Sequence, residues 1–122
     1  MKNRNESLAY DIYNWCKKNH LWGNNTIYFN GKALSNLPDW GEAKGKQIAE
    51  DLYEYENRNV NDYFEYGNPY TVSMSFEGPL YHVLNGYTPG WMKKEDALQK
   101  LFEKHGMYFE QGDAWNLSAY EL

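Results

Sequence analysis

The chain has 122 residues, a formal net charge of −5 at pH 7 and an aromatic content of 18%, and Tyr supplies 12 of the aromatic residues. A chain of this length is expected to form a single domain, residues 1–122, with one core. The high aromatic content argues against intrinsic disorder, and the mild acidity argues against direct nucleic-acid binding, which relies on basic surfaces.

Cysteine content and hydropathy indicate the cellular compartment of the protein. The one cysteine, Cys16, excludes an internal disulfide and suggests a reducing compartment. The N-terminal residues include no apolar stretch of signal-peptide length, and no segment approaches the roughly 20 apolar residues of a membrane span. We therefore expect a cytoplasmic protein that does not bind a membrane.

The first two predicted elements are a helix and a hairpin. Residues 6–20 have the helical spacing of apolar side chains, with Leu8, Ile12 and Cys16 on one face. Residues 26–35 contain Asn-Gly, the pair typical of a two-residue hairpin turn. Such a turn places Phe29 opposite Lys32 and Ile27 opposite Leu34.

The middle of the chain predicts a second helix over residues 46–56. Its inward positions would be Ile48, Leu52 and Tyr55, while Glu50 and Glu54 would lie one turn apart on the solvent face. A short helix or turn is expected at 59–66, before Asn-Pro breaks the pattern.

Residues 70–87 predict a second hairpin. Val72, Met74 and Phe76 alternate with polar residues, which is typical of a strand with one buried face. A turn at residues 77–79 would align Met74 with His82 on the returning strand.

The C-terminal third predicts a helix followed by a third hairpin. Residues 93–106 form the helix, and its apolar stripe is Ala97, Leu98, Leu101 and Phe102. In the hairpin, a three-residue turn at 111–113 would face Phe109 with Trp115 and Met107 with Leu117, which gathers apolar side chains on one face.

These elements together predict an α+β fold. We expect a mostly antiparallel sheet built from three hairpins, with about three helices packed on one face. The other face would be partly exposed to solvent and would carry Tyr28, Tyr81, Tyr108 and the serines.

Residues 50–66 (EDLYEYENRNVNDYFEY) stand out because they contain six carboxylates, five aromatic rings and one basic residue, Arg58. Tyr is enriched in binding surfaces because it combines apolar area with a polar tip, and an acidic face complements a basic partner. The predicted binding residues are Glu50, Asp51, Tyr53, Glu54, Glu56, Asp62, Tyr63, Glu65 and Tyr66 of this stretch, together with the loop residues Trp40 and Trp91.

We therefore expect a small acidic interaction module that binds a basic protein surface. A sharper version is a nucleic-acid-mimicking inhibitor from a phage or mobile element. Carboxylates one helical turn apart lie about 5–6 Å from each other, which is comparable to the phosphate spacing along one strand.

No pattern of catalytic or metal-binding residues accompanies this stretch. The sequence contains no zinc-ligand spacing, no phosphate-binding glycine loop and no nucleophile elbow, so we expect no catalytic residue, metal or cofactor. One alternative is a small enzyme or ligand-binding domain that pairs His82 with a carboxylate in a pocket. Another is a structural subunit of a larger assembly.

Overall fold

The computed structural model describes residues 3–122 and has an α+β fold. The helices are α1 (Arg4–Lys18), α2 (Pro79–Leu84) and α3 (Trp91–Lys104), with a single 3₁₀ turn at Val60–Asp62. The strands are β1 (Asn25–Phe29), β2 (Lys32–Ser35), β3 (Asp39–Trp40), β4 (Ala43–Lys44), β5 (Lys46–Ala49), β6 (Leu52–Tyr55), β7 (Val72–Phe76), β8 (Met107–Gln111) and β9 (Asn116–Glu121).

Seven strands form one antiparallel sheet in the order β5-β6-β2-β1-β7-β9-β8, and β3 pairs with β4 in a separate small sheet. The large sheet contains the hairpins β1–β2, β5–β6 and β8–β9, and the three helices pack on one of its faces. We call this the helix-covered face and the opposite side the loop-covered face. The predicted fold class is confirmed.

Helix α1 follows the predicted spacing. The Asn3 side chain accepts a hydrogen bond from the Glu6 N–H and caps the first turn, while Leu8, Ile12 and Cys16 are completely buried. Burial of an aliphatic side chain of this size contributes about 2 kcal/mol. Burial also raises the pKa of the Cys16 thiol to about 12, so Cys16 is an inert core residue.

The β1–β2 hairpin has the predicted register, with Phe29 opposite Lys32 and Ile27 opposite Leu34. Asn30 and Gly31 both have positive φ, at 50° and 74°, as the tight turn requires.

The predicted helix at 46–56 is wrong, because these residues form the hairpin β5–β6. Leu52 is buried on the helix-covered face and Tyr55 on the loop-covered face, whereas Ile48 is 40% exposed. A strand suits this mixture of large side chains, because pairing with β2 places Leu52 in the core of one face and Tyr55 in the cluster of the other.

The second strand of the predicted 70–87 hairpin is also wrong, because residues 79–84 form α2. Pro79 stands at its first position, where a fixed φ favours helix and the missing N–H costs nothing. Strand β7 is therefore an inner strand, and Met74 lies opposite Ile27 and Leu117 instead of His82.

Helix α3 matches its prediction, although Ala97 is exposed and Leu101 is only partly buried. The β8–β9 hairpin forms with a longer connection, residues 112–115, so Phe109 faces Ala119 and not Trp115. The observed register differs from the predicted register by an even number of residues, so Phe109 still points to the helix-covered face.

The loop-covered face was predicted to be partly exposed, and its centre is buried instead. The β3–β4 hairpin and residues 56–68 lie over its centre, and Tyr28 beneath them is 5% exposed. None of the helices in the described part of the chain is long and apolar enough to cross a bilayer.

Candidate functional site

The alternation of β6 divides the acidic stretch between the two faces of the sheet. Leu52 and Glu54 point toward the helices, whereas Tyr53 and Tyr55 point to the loop-covered face. Within β6, acidic and aromatic side chains that are interleaved in sequence are therefore separated in space. The expected single helical surface with Glu50 and Glu54 one turn apart does not exist.

Carboxylates on the helix-covered side have partners within the chain. Asp51 pairs with Lys17 and accepts a 2.7 Å hydrogen bond from the Tyr13 hydroxyl. Glu54 pairs with Lys32 at 3.2 Å and accepts a hydrogen bond from Tyr10.

These contacts shift the pKa values of the groups involved. Burial opposes ionisation of Asp51, but the hydrogen bonds from Lys17 and Tyr13 outweigh it and lower the pKa of its carboxyl group.

The two other predicted carboxylates of this region lie nearer the solvent. Glu56 shares Lys32 with Glu54, at 3.5 Å, and Glu50 is exposed at the turn of the β5–β6 hairpin.

Of the remaining predicted residues, Trp40, Tyr53 and Tyr63 pack on the cluster of the loop-covered face, and Asp62, Glu65 and Tyr66 belong to the segment 56–68 that covers it. We call this group the tyrosine face: Trp40, Tyr53, Asp62, Tyr63, Glu65 and Tyr66. Tyr63 is 42% exposed and Tyr66 is 53% exposed. Asp62 and Glu65 are exposed, and neither forms a salt bridge with any residue in the range 3–122.

Stacked rings support the tyrosine face from below. Tyr63 stacks on the buried Tyr28 with ring centroids 5.4 Å apart, and Trp40 contacts Tyr63 at 5.3 Å and Tyr55 at 5.2 Å. Burial, with the Tyr63 phenol nearby, raises the pKa of Tyr28 above its ordinary value, so this hydroxyl stays neutral.

Hydrogen bonds from the sheet fix the backbone of the segment that carries these rings. The Ser118 hydroxyl donates to the Tyr66 carbonyl at 2.9 Å, and the Asn68 amide donates to the Ala119 carbonyl at 3.0 Å. Within the segment, the Asn61 amide donates to the Gly67 carbonyl at 2.9 Å. The exposed tyrosines are therefore held on a fixed backbone.

Arg58, the one basic residue of the acidic stretch, lies beneath this surface. Its guanidinium is 4.6 Å from the Trp40 ring centroid and 5.4 Å from that of Tyr55, which is cation–π geometry. Its Nη1 donates to the carbonyls of Glu56 and Asn57, and Arg58 forms no salt bridge with any described residue. Arg58 therefore joins the loop to the rings and does not neutralise Asp62 or Glu65.

The sequence did not predict this role of Arg58. The only signal was an isolated arginine among tyrosines, and the ring that it stacks on, Trp40, lies 18 positions away in the chain.

Trp91 and His82 lie outside this site. Trp91 begins α3 and is partly buried against the main core, next to Gly86. His82 is exposed on α2 beside the rings of Tyr81 and Tyr87, and no described carboxylate hydrogen-bonds with it. The pair of His82 with a carboxylate, which the enzyme alternative assumes, does not form among residues 3–122; the histidine that contacts a carboxylate there is His105, 2.7 Å from Asp11.

No group of three or more His, Cys, Asp or Glu residues within 3–122 has the arrangement of a metal site. Comparison with protein-family models, with curated proteins and with solved structures finds no match for this chain.

Proposed function

We propose that this protein is a cytoplasmic interaction module whose tyrosine face binds a basic surface on a partner protein. The observation that carries the proposal is the pairing of two exposed, unbridged carboxylates, Asp62 and Glu65, with two half-exposed tyrosines next to them in the chain, Tyr63 and Tyr66.

Charge distribution supports a basic partner. Residues 47–92 contain seven Asp and Glu residues and one Arg or Lys, and that residue, Arg58, is stacked beneath the surface. Acidic groups at the rim steer a basic partner toward the face, and tyrosines desolvated at its centre supply affinity.

Rigidity supports a preformed binding surface. Tyr63 is held by Tyr28 and Trp40, and the Tyr66 carbonyl is held by Ser118. A surface that is already ordered loses little conformational entropy on binding, which favours affinity.

The nucleic-acid-mimicking version loses its basis, because the spacing of Glu50 and Glu54 that suggested it required a helix and the residues form a hairpin. A basic protein surface, which does not require phosphate-like spacing, remains the partner that the tyrosine face fits.

The test is capture of the partner in the native cell through a photo-crosslinking residue at position 66, followed by affinity measurement with the purified partner. We expect Asp62→Lys with Glu65→Lys to weaken binding at least tenfold and to reduce its salt dependence. The matched control is Glu95→Lys with Glu103→Lys on α3, which changes the net charge equally on the opposite side of the sheet.

A second pair of variants tests the rings. Tyr66→Ala should weaken binding, whereas Tyr87→Ala, which removes a tyrosine of 71% exposure near α2, should not. Equal losses from both members of either pair, or binding that is insensitive to salt and to the charge reversals, would overturn the proposal.

A further inference from the structure

Two rows of side chains cross the loop-covered face of the sheet, and one of them is only partly covered, because Ser35 and Asn116 in it are buried whereas Thr26 and Ser75 are partly exposed. The registers place Ser35 opposite Thr26, and Thr26 opposite Ser75, on the adjacent strands β2, β1 and β7. The row continues to Asn116 on β9 and to Tyr53 on β6. Three neighbouring hydroxyl side chains therefore stand side by side on three central strands.

A trough of about 230 Å³ lies over these hydroxyls. It is smaller than most small-molecule pockets, which span about 300–1,000 Å³, so it would hold no more than one small ring. We call it the hydroxyl trough, and its walls are formed by Asn24, Asn36, Leu37, Glu77 and Trp115.

Hydrogen bonds fix the walls of the hydroxyl trough. The Phe76 N–H donates to the Trp115 carbonyl at 2.7 Å, and the Glu77 N–H donates to the Asn24 carbonyl at 3.1 Å. On the other side, the Tyr55 hydroxyl donates to the Leu37 carbonyl at 2.5 Å. The trough is therefore a preformed concavity, as small-molecule sites usually are.

Several polar side chains of the trough have no hydrogen-bond partner elsewhere in the described chain. They are the hydroxyl of Thr26, the amides of Asn24 and Asn36, and the carboxylate of Glu77. They supply donors and acceptors that converge on one space. The Ser35 hydroxyl, by contrast, accepts a hydrogen bond from the Leu37 N–H at 3.2 Å. Phe64 packs edge-to-face against the Trp115 ring, with centroids 5.5 Å apart, and so fixes the indole at the wall.

The charges exclude an anionic ligand. Among the residues that the structure describes, Glu77 is the one charged residue lining the trough, and no lysine or arginine lines it. An anion entering this space would meet a like charge without compensation. Uncharged hydroxyl groups match the donors and acceptors, and the C–H edges of a ring match the negative face of an indole.

We propose that the hydroxyl trough binds a neutral polyhydroxylated ligand the size of one sugar ring, held by Thr26 and Glu77 and packed against Trp115. The site is separate from the tyrosine face and does not depend on the proposed partner.

The test uses the whole chain, labelled with nitrogen-15, and a panel of neutral probes: glucose, galactose, mannose and their methyl glycosides. We expect at least one probe to shift the amide signals of residues 24–26, 35–37 and 75–77 saturably, with a dissociation constant of about 1 mM. Inorganic phosphate should leave them unchanged. If no probe gives saturable shifts there, or if phosphate alone does, the proposal is wrong.

Substitutions assign the binding to the trough. Thr26→Val removes the hydroxyl but keeps the β-branched shape that a strand favours, and we expect it to weaken binding about fivefold to tenfold. Thr88→Val, between α2 and α3, is the matched control and should have no effect. The spectra of both variants show directly whether they remain folded. An unchanged affinity in folded Thr26→Val would overturn the assignment.

Discussion

The two faces of the sheet are covered by different kinds of structure, and each face has the side chains that its cover requires. Under the helices, Leu34, Ile27, Met74 and Leu117 form a completely buried apolar row across four strands. At adjacent positions of those strands, the loop-covered face presents Ala33, Tyr28, Ser73 and Ser118.

The reason lies in backbone hydrogen bonding. A helix satisfies its own N–H and carbonyl groups, so an apolar sheet face is enough to hold it. An irregular segment leaves such groups unpaired, and side chains of the sheet must bond to them. Ser118 does so for Tyr66, and Tyr55 does so for Leu37.

This difference implies that stability is distributed unevenly. The helix-covered face has a large cluster of buried aliphatic and aromatic side chains, while the loop-covered face has a small cluster around Tyr28 and Phe64. Regions with fewer buried apolar contacts open at lower free energy, so the loop-covered face should open first.

The largest expected change in the free energy of unfolding comes from replacing one buried phenylalanine on each face. Phe76→Ala on the helix-covered face should lower the free energy of unfolding by about 4 kcal/mol, because Phe76 is completely buried among regular elements that cannot collapse. Phe64→Ala should cost about 2 kcal/mol, since the segment above can settle into the space. Denaturant unfolding measures both, and equal losses would contradict the proposed difference between the faces.

The next prediction tests how tightly residues 56–68 are packed over the loop-covered face. A Cβ on Gly67 would lie 2.5 Å from Val60 Cγ2, and the stiff, β-branched valine cannot move aside, so Gly67→Ala should cost about 2 kcal/mol. Gly23→Ala is the control, since its Cβ would meet Pro79 Cδ at an ordinary 3.6 Å and neither glycine has a positive φ. Similar unfolding midpoints for the two variants would show that the cover is loose.

The helix-covered face could largely be predicted from the sequence, because its signals are local. Helical spacing predicted α1 and α3, and Asn30-Gly31 predicted both the β1–β2 turn and its register. The predictions failed where two periods fit the same residues. Ile48, Leu52 and Tyr55 have helical spacing, yet tertiary pairing with β2 makes Leu52–Tyr55 a strand.

The loop-covered face could not be predicted, because its contacts join residues distant in the chain. Tyr28 is covered by Trp40, Tyr63 and Phe64, and no periodicity links these positions. The acidic stretch did point to Tyr63 and Tyr66, but β6 turned its first carboxylates to the other face. Composition thus singled out this segment as a candidate and gave no information about the direction of its side chains.

A smaller loss of stability is expected on the loop-covered face when Arg58 is replaced. Arg58→Met keeps the aliphatic stem but removes the stacked guanidinium and two hydrogen bonds to backbone carbonyls, so it should cost about 1 kcal/mol. Arg58→Lys retains the charge without the planar group and should recover less than half of that loss. Thermal unfolding of both variants measures this, and full recovery by lysine would show that charge alone matters.

The smallest effect lies on the helix-covered side, where Asp51 joins the β5–β6 turn to Lys17 and Tyr13 of α1. Because these contacts lower the folded-state pKa of Asp51, its contribution is present above the unfolded value of about 3.9 and is lost as the pH falls through the folded value. Asp51→Asn should therefore lower stability by up to about 1 kcal/mol at pH 7, and the difference from wild type should shrink toward about pH 3, as urea unfolding at each pH would show. Glu50→Gln, at the exposed neighbouring position, is the control and should match wild type at both pH values. A loss for Asp51→Asn that is the same at both pH values would mean that the side chain acts through its shape and not through its charge.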